Sequence, residues 1–232
     1  MKKIEILKIK ETPAEACEVV DLLNRNGVEW HSVGCNNWPE DYPYSPKAEF
    51  RIAFTSDAFL LNYRVVEETV RAQYGEDNEQ VWTDSCMEFF LSPDKNSDVY
   101  YNLETNCIAT VLLGVRGGDV EKSHASKQLL ATIKRWSSLG RVPFEQHVAE
   151  GGWQTAFVVP FEVYWHHDLQ SLMEENRCVM RANFYKCGDL LPKPHFLSWS
   201  PIDYEKPNFH LSRFFGEISA NNHTCKNNNF SL

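Results

Sequence analysis

Ser85-Cys86-Met87-Glu88-Phe89-Phe90-Leu91 decides how this chain reads. Alternate residues of a β-strand share a face, so Met87, Phe89 and Leu91 form an apolar stripe that belongs in a core. Trp82, Asp84, Cys86, Glu88 and Phe90 fall in phase on the other side. A carboxylate between a thiol and a phenyl ring needs a partner, because an unpaired charge among apolar groups is costly to bury.

Two further stretches repeat the pattern. In Tyr100-Tyr101-Asn102-Leu103-Glu104-Thr105-Asn106, residues Tyr100, Asn102, Glu104 and Asn106 share one face, while Tyr101 and Leu103 point to the core. In Arg181-Ala182-Asn183-Phe184-Tyr185, residues Arg181, Asn183 and Tyr185 oppose Ala182 and Phe184. These polar faces are rich in amide, carboxylate, guanidinium and ring groups and poor in lysine. The expectation is a concave sheet face for a neutral polyhydroxylated ligand. Planar hydrogen-bonding groups fit paired hydroxyls, and flat rings fit C–H faces.

Around these strands lie more short β runs, over residues 48–54, 59–66, 107–113, 131–136, 153–159, 178–185 and 196–199. Turn signals such as Ser92-Pro93-Asp94 and Glu150-Gly151-Gly152 separate them. Many short strands at this spacing predict an all-β fold, an antiparallel β-sandwich of jelly-roll type. Helix is expected over 124–131 and a single turn over 161–165.

Thr12-Pro13-Ala14-Glu15 reads as a capping box with proline at the first helical position, and Gly27 as a stop, so a short N-terminal helix is expected over 12–26. The organisation then reads as an N-terminal extension over 1–29, a sandwich over 30–219 and a polar disordered tail over 220–232. Residues 36–46 hold three prolines and three aromatics, which predicts a loop packed on the body.

Composition bounds the rest. The 232 residues carry 23 Lys+Arg and 32 Asp+Glu, a formal net charge of −9, with no basic cluster. That excludes a general nucleic-acid binder, which needs cationic surface. No apolar run is long enough for a helix to span a membrane. Seven cysteines, an odd number without C-x-x-C spacing, give no zinc-type pattern. With no apolar signal segment after Lys2-Lys3, they point to reduced thiols in a cytoplasmic setting. His166-His167-Asp168 makes a poor chelate, since adjacent strand residues face opposite ways. His195 and His210 read as structural hydrogen-bonding residues. Nothing indicates oligomeric state.

The string from Val81 to Pro93 resembles the D-S-x-x-E-F-F signature of carbohydrate-binding module family 9 and its relatives, a group related to DOMON-type sandwiches. Arg181-Ala182-Asn183-Phe184-Tyr185-Lys186-Cys187-Gly188-Asp189 is similar to a second block of that group, and 195–202, 207–210 and 215–216 to its closing segment. The resemblance implies a sandwich that binds a mono- or oligosaccharide without catalysis. It implies two platform tryptophans, Trp82 and Trp199, with Glu88 as the accompanying carboxylate. Asn102, Glu104, Arg181, Asn183 and Tyr185 join them by sharing the polar faces.

The resemblance implies no required cofactor, although calcium supports some members. Asp77-Asn78-Glu79 and the 94–98 turn are the places to look for it, and neither forms a clear oxygen-ligand loop. The alternative is a glycoside-active enzyme using Glu88 and Glu104 as a carboxylate pair, for which a retaining mechanism needs about 5 Å between the groups. A haem site, which would need axial Met and His, is disfavoured because Met87 points to the core.

Overall fold

The computed structural model describes residues 1–174 and 177–221. Its strands, in chain order, are β1 (Lys3–Lys8), β2 (His31–Ser32), β3 (Cys35–Asn36), β4 (Lys47–Phe54), β5 (Ala58–Val66), β6 (Thr69–Ala72), β7 (Cys86–Ser92) and β8 (Tyr100–Asn106). They continue with β9 (Val111–Arg116), β10 (Ser123–His124), β11 (Lys134–Ser137), β12 (Phe144–Val148), β13 (Trp153–Pro160), β14 (Arg177–Cys187), β15 (Phe196–Ser198) and β16 (Gly216–Asn221). Among the described residues, three short α-helices are interspersed, α1 (Glu18–Arg25), α2 (Lys127–Thr132) and α3 (Leu169–Glu174).

The period-two stripes dictate the packing. Met87, Phe89 and Leu91 of β7, Leu103 of β8 and Phe184 of β14 share one buried cluster with Phe50 and Ile52 of β4, Phe59 and Leu61 of β5, and Phe157 of β13. The sheet runs β10-β9-β8-β7-β14-β16-β1-β4-β5-β13-β11 and curls so that its two halves face each other. Phe50 stacks on Phe184 at 3.4 Å between ring centroids, and Phe59 meets Phe89 edge-on at 6.0 Å. Each such side chain contributes about 1.5–3 kcal/mol of burial, so this inter-sheet seam is the main source of stability. The fold is the expected all-β sandwich.

Residues 1–29 are woven into it rather than set apart. β1 lies between β16 and β4 and runs parallel to both, while the neighbouring pairs β14–β16 and β4–β5 are antiparallel. β1 and β16 lie outside the expected strands, as does the separate two-stranded antiparallel sheet that β6 and the sequence-distant β12 form. The expected tail from 220 begins inside β16, and its remainder, 222–232, lies outside the described residues.

The helix predicted over 12–26 is shorter. Thr12 donates to Thr55 and also contacts Asp57 through its hydroxyl, so it is unavailable as a cap. The helix starts at Glu18 without a side-chain cap, and Val19 and Leu23 pack on Ala53, Leu60 and Val158. Gly27, at φ +64°, is the foreseen stop. Residues 107–110 turn rather than extend: Ala109 has φ +61°, and Asn106 Oδ1 accepts the Thr110 N–H.

Two contacts tie the facing halves of the curl together. Trp199 packs edge-on against Phe50 and Phe184 and lies over Gly216. A methyl at 216 would sit 2.4 Å from the Trp199 ring and 2.8 Å from the Lys2 carbonyl. Gly216→Ala is therefore expected to cost about 1–3 kcal/mol, read by chemical denaturation. Separately, Lys186 of β14 points inward and pairs with Glu67, which follows β5, at 2.9 Å.

A cavity at one end of the covered polar face

The outer face of β7, β8 and β14 is not an open platform. Phe90, Tyr100, Tyr185 and Cys187 form a second buried cluster with Trp38, Ile202, Phe209 and Phe215 from the loops that cross it. Trp38 anchors the 36–46 loop by donating its indole N–H to the Tyr204 carbonyl at 2.8 Å, as expected of a packing loop. Alternation along a strand shows which residues share a face, not what covers that face.

One end of the face stays accessible, as a cavity of about 320 Å³. Trp82, Glu88, Glu104, Arg116, Lys122, His124, Cys187, Asp189, Phe196, Phe209 and His210 are among its lining residues. Local structure explains this position. The 3-10 turn Val81–Thr83 carries Trp82 into β7. Asp84, in that turn, accepts the N–H groups of Gln73 and Tyr74 and the Asn106 amide, and faces Arg71 at 3.6 Å. It fixes the turn from beneath, so the signature aspartate acts as a scaffold.

Glu88 and Glu104 are direct register partners across the antiparallel β7–β8 pair. They are 3% and 4% exposed. Like-charged side chains directly opposite destabilise a sheet if both ionise. Burial, and then the Glu104 charge, hold the Glu88 carboxyl well above the usual range. Burial pushes Glu104 up to about 7 against the opposing hydrogen bond from Asn102. Asn102 Nδ2 donates to Glu104 Oε1 at 2.8 Å, and the Cys187 thiol donates to Glu88 Oε1 at 3.1 Å. Glu104 Oε2, Asn102 Oδ1 and Arg116 Nε are buried without a hydrogen-bond partner in the protein. Buried orphan polar atoms are uncommon, and beside a cavity they mark where a ligand or water must satisfy them.

Of the eight residues read from sequence, Trp82, Glu88 and Glu104 line the cavity. Asn102 sits behind Glu104 and is fully buried, in space that a side chain at Gly114 would take from it. Tyr185 lies beneath the cavity wall: it stacks on Phe209 at 4.1 Å and donates to the Phe209 carbonyl at 3.1 Å. Asn183 holds the covering loop instead, accepting the Ser200 N–H and donating to the Ser200 carbonyl.

Arg181 is four residues from Tyr185, about 13 Å at ordinary strand rise, and bonds the Ser97 carbonyl at the far β7–β8 turn. Trp199 is 3% exposed in the inter-sheet core, so it has no open ring face to offer. The second aromatic wall comes from Phe209 and Phe196. Phe209 was legible only as part of the closing Pro207-Asn208-Phe209-His210 string, with no periodicity to orient it.

His210 joins the lining and meets the Tyr100 hydroxyl at 3.1 Å. Burial, with Arg116 and Lys122 adding to it, lowers His210 to about 3. The unfolded chain, with His near 6.5, therefore binds a proton that the folded chain refuses between about pH 6.5 and 3. This group's stabilisation is present above pH 6.5 and is lost as pH falls towards 3. The melting-temperature drop between pH 7 and pH 5 is expected to be smaller in His210→Gln than in the parent.

At the two turns named for calcium, protein groups engage the side-chain oxygens: Asp77 Oδ1 takes Arg135 and the Val111 N–H, Asn78 Oδ1 the Leu113 N–H, and Asp94 Oδ1 the Asn96 N–H.

Comparison with known proteins agrees with the geometry. The profile of carbohydrate-binding family 9 matches residues 18–220. A Bacteroides uniformis protein, named as a candidate carbohydrate-binding protein, is 42% identical, covers 94% of this chain and 99% of its own, and superposes with a TM-score of 0.88. Family 9 modules from Caldicellulosiruptor kristjanssonii, solved with glucose and with cellotriose, share 13% identity at TM-scores of 0.58 and 0.57 and thus the fold. The glucose complex covers 98% of this chain and 100% of its own, and the cellotriose complex 100% and 98%. No curated protein matches. On the span of the profile match and the near full-length relative, the chain belongs to carbohydrate-binding family 9.

Proposed function

We propose that the cavity between Trp82, Phe209 and the Glu88–Glu104 pair seats one sugar ring of a mono- or oligosaccharide, bound without catalysis and without a required cofactor. The observation that carries this reading is the buried carboxylate pair. Glu104 keeps an unsatisfied oxygen beside a cavity walled by a half-buried indole, in a chain of family 9. A cavity of about 320 Å³ stands at the small end of ligand sites, which suits a single ring more than a stretch of polymer. Glu104 Oε2 accepts a sugar hydroxyl, while Arg116 and Lys122 donate to others. The rings of Trp82 and Phe209 cover the C–H faces.

Few anchors at a partly open site give modest affinity, on the order of μM to mM. Calorimetric titration with a panel headed by glucose and cellotriose tests the reading. Saturable binding in that range, with the cellotriose recovered uncut, is expected. A flat isotherm for every sugar of a broad panel contradicts the reading, and release of shorter sugars contradicts its non-catalytic part.

A further inference from the structure

The inner wall of the cavity carries two thiols that a sugar site does not call for, beside the Glu88 carboxyl. Cys86 and Cys187 are register partners on the adjacent strands β7 and β14. Their Sγ atoms and a Glu88 carboxylate oxygen all lie within 4.8 Å of one another. All three residues are buried, at 0%, 1% and 3% exposure, and Cys187 and Glu88 also line the cavity. The Cys187 thiol reaches Glu88 Oε1 at 3.1 Å, so one contact of the triangle is already short.

We propose that Cys86, Cys187 and Glu88 form a binding site for a thiophilic divalent cation of the zinc class, its fourth position open to the cavity. Two sulfurs and one carboxylate oxygen are a donor set for zinc, cobalt(II) or cadmium, and not for calcium or magnesium. Three protein ligands from rigid strands, with the remaining position open, form a tetrahedral site that still accepts an outside ligand. Asp189 lies outside the triangle, so water or a hydroxyl of whatever fills the cavity completes the shell.

Tetrahedral bonds of about 2.3 Å to sulfur and about 2.0–2.2 Å to oxygen spread the ligand atoms by roughly 3.5–3.8 Å, so the 3.1 Å Cys187–Glu88 contact opens a little while no pair starts beyond 4.8 Å. The cavity supplies the entry path. Binding releases the two thiol protons together with the Glu88 carboxyl proton, and two thiolates and a carboxylate around a divalent cation leave the site with one net negative charge. Glu88 offers its Cys187-side oxygen to the metal and keeps its second oxygen for the cavity.

The test is a cobalt(II) titration of the reduced full-length chain, without sugar. The expected result is one equivalent of a thiolate-to-cobalt absorption band, displaced by zinc. It should be lost in Cys86→Ser and in Cys187→Ser, weakened at least tenfold in affinity in Glu88→Gln, and retained in Cys35→Ser. Zinc should also raise the parent's melting temperature and shield two thiols from a thiol reagent, readouts that need no variant to fold. Absence of the band in the reduced parent, or a band that survives in Cys86→Ser or Cys187→Ser, overturns the site. Neither outcome bears on sugar binding, which the calorimetry reads in metal-free buffer.

Discussion

Lys186→Ala is expected to cost about 3–5 kcal/mol and to lower the melting temperature by roughly 10 °C. The strand face decides this. Lys186 lies on the apolar side of β14, fully buried, two residues after Phe184 in the inter-sheet seam. Its ammonium pairs with Glu67 at 2.9 Å, donates to the Cys187 carbonyl at 2.8 Å and meets His195 Nε2 at 2.8 Å. Glu67 in turn accepts the Trp153 indole N–H at 2.7 Å, so one ion pair ties β14 to β13 across the sandwich.

Removing the lysine leaves a buried carboxylate without its counter-charge, the expensive way to break such a pair. The second variant distinguishes charge from packing. Lys186→Ala with Glu67→Gln keeps the same emptied space and an acceptor for Trp153 but removes both charges, and should recover a large part of the loss. Chemical denaturation of the parent, single and double variants measures it. Equal losses in single and double variants would mean that cavity formation, not the orphaned charge, carries the cost.

Trp82→Ala is expected to weaken sugar binding at least tenfold, about 1.4 kcal/mol or more, with little change in melting temperature. The indole is only half-buried and lines the cavity. Its indole packs at the edge of the second buried cluster, while its backbone carbonyl accepts the Asp189 N–H at 3.3 Å and faces the Cys187 sulfur at 3.4 Å. Alanine keeps both backbone contacts. Calorimetry and thermal melts on the same samples separate the two effects. If the melting temperature collapses while affinity stays, Trp82 is a packing residue and the sugar lies elsewhere.

Legibility followed the strength of the local signal. The stripes Met87-Phe89-Leu91 and Tyr101-Leu103 named the core correctly because period two leaves one arrangement that buries them. The same alternation put Glu88 and Glu104 on one face, and the register makes them neighbours. It could not show that Phe209 and Ile202 would roof most of that face, because loops carry no period. Hence Asn183 and Tyr185 support the covering loop, and Arg181 sits at the β7–β8 turn, at the opposite end of the face from the cavity.

Trp199 lies away from the cavity for a related reason. Its place in a late aromatic string fits a platform, but Gly216 opposite it leaves room for an indole in the core. β1 was missed because Lys3-Ile4-Glu5-Ile6-Leu7-Lys8 is short, charged and distant in sequence from β16, its partner. The Thr12 capping signal was real chemistry directed elsewhere, towards Thr55 and Asp57.

Where the sugar sits can be read from a crystal of this protein grown with cellotriose. One ordered sugar ring is expected in the cavity, a ring face against Trp82 or Phe209 and a hydroxyl within hydrogen-bond distance of Glu104 Oε2. Ordered sugar anywhere else on the molecule, with this cavity holding only water, would contradict it.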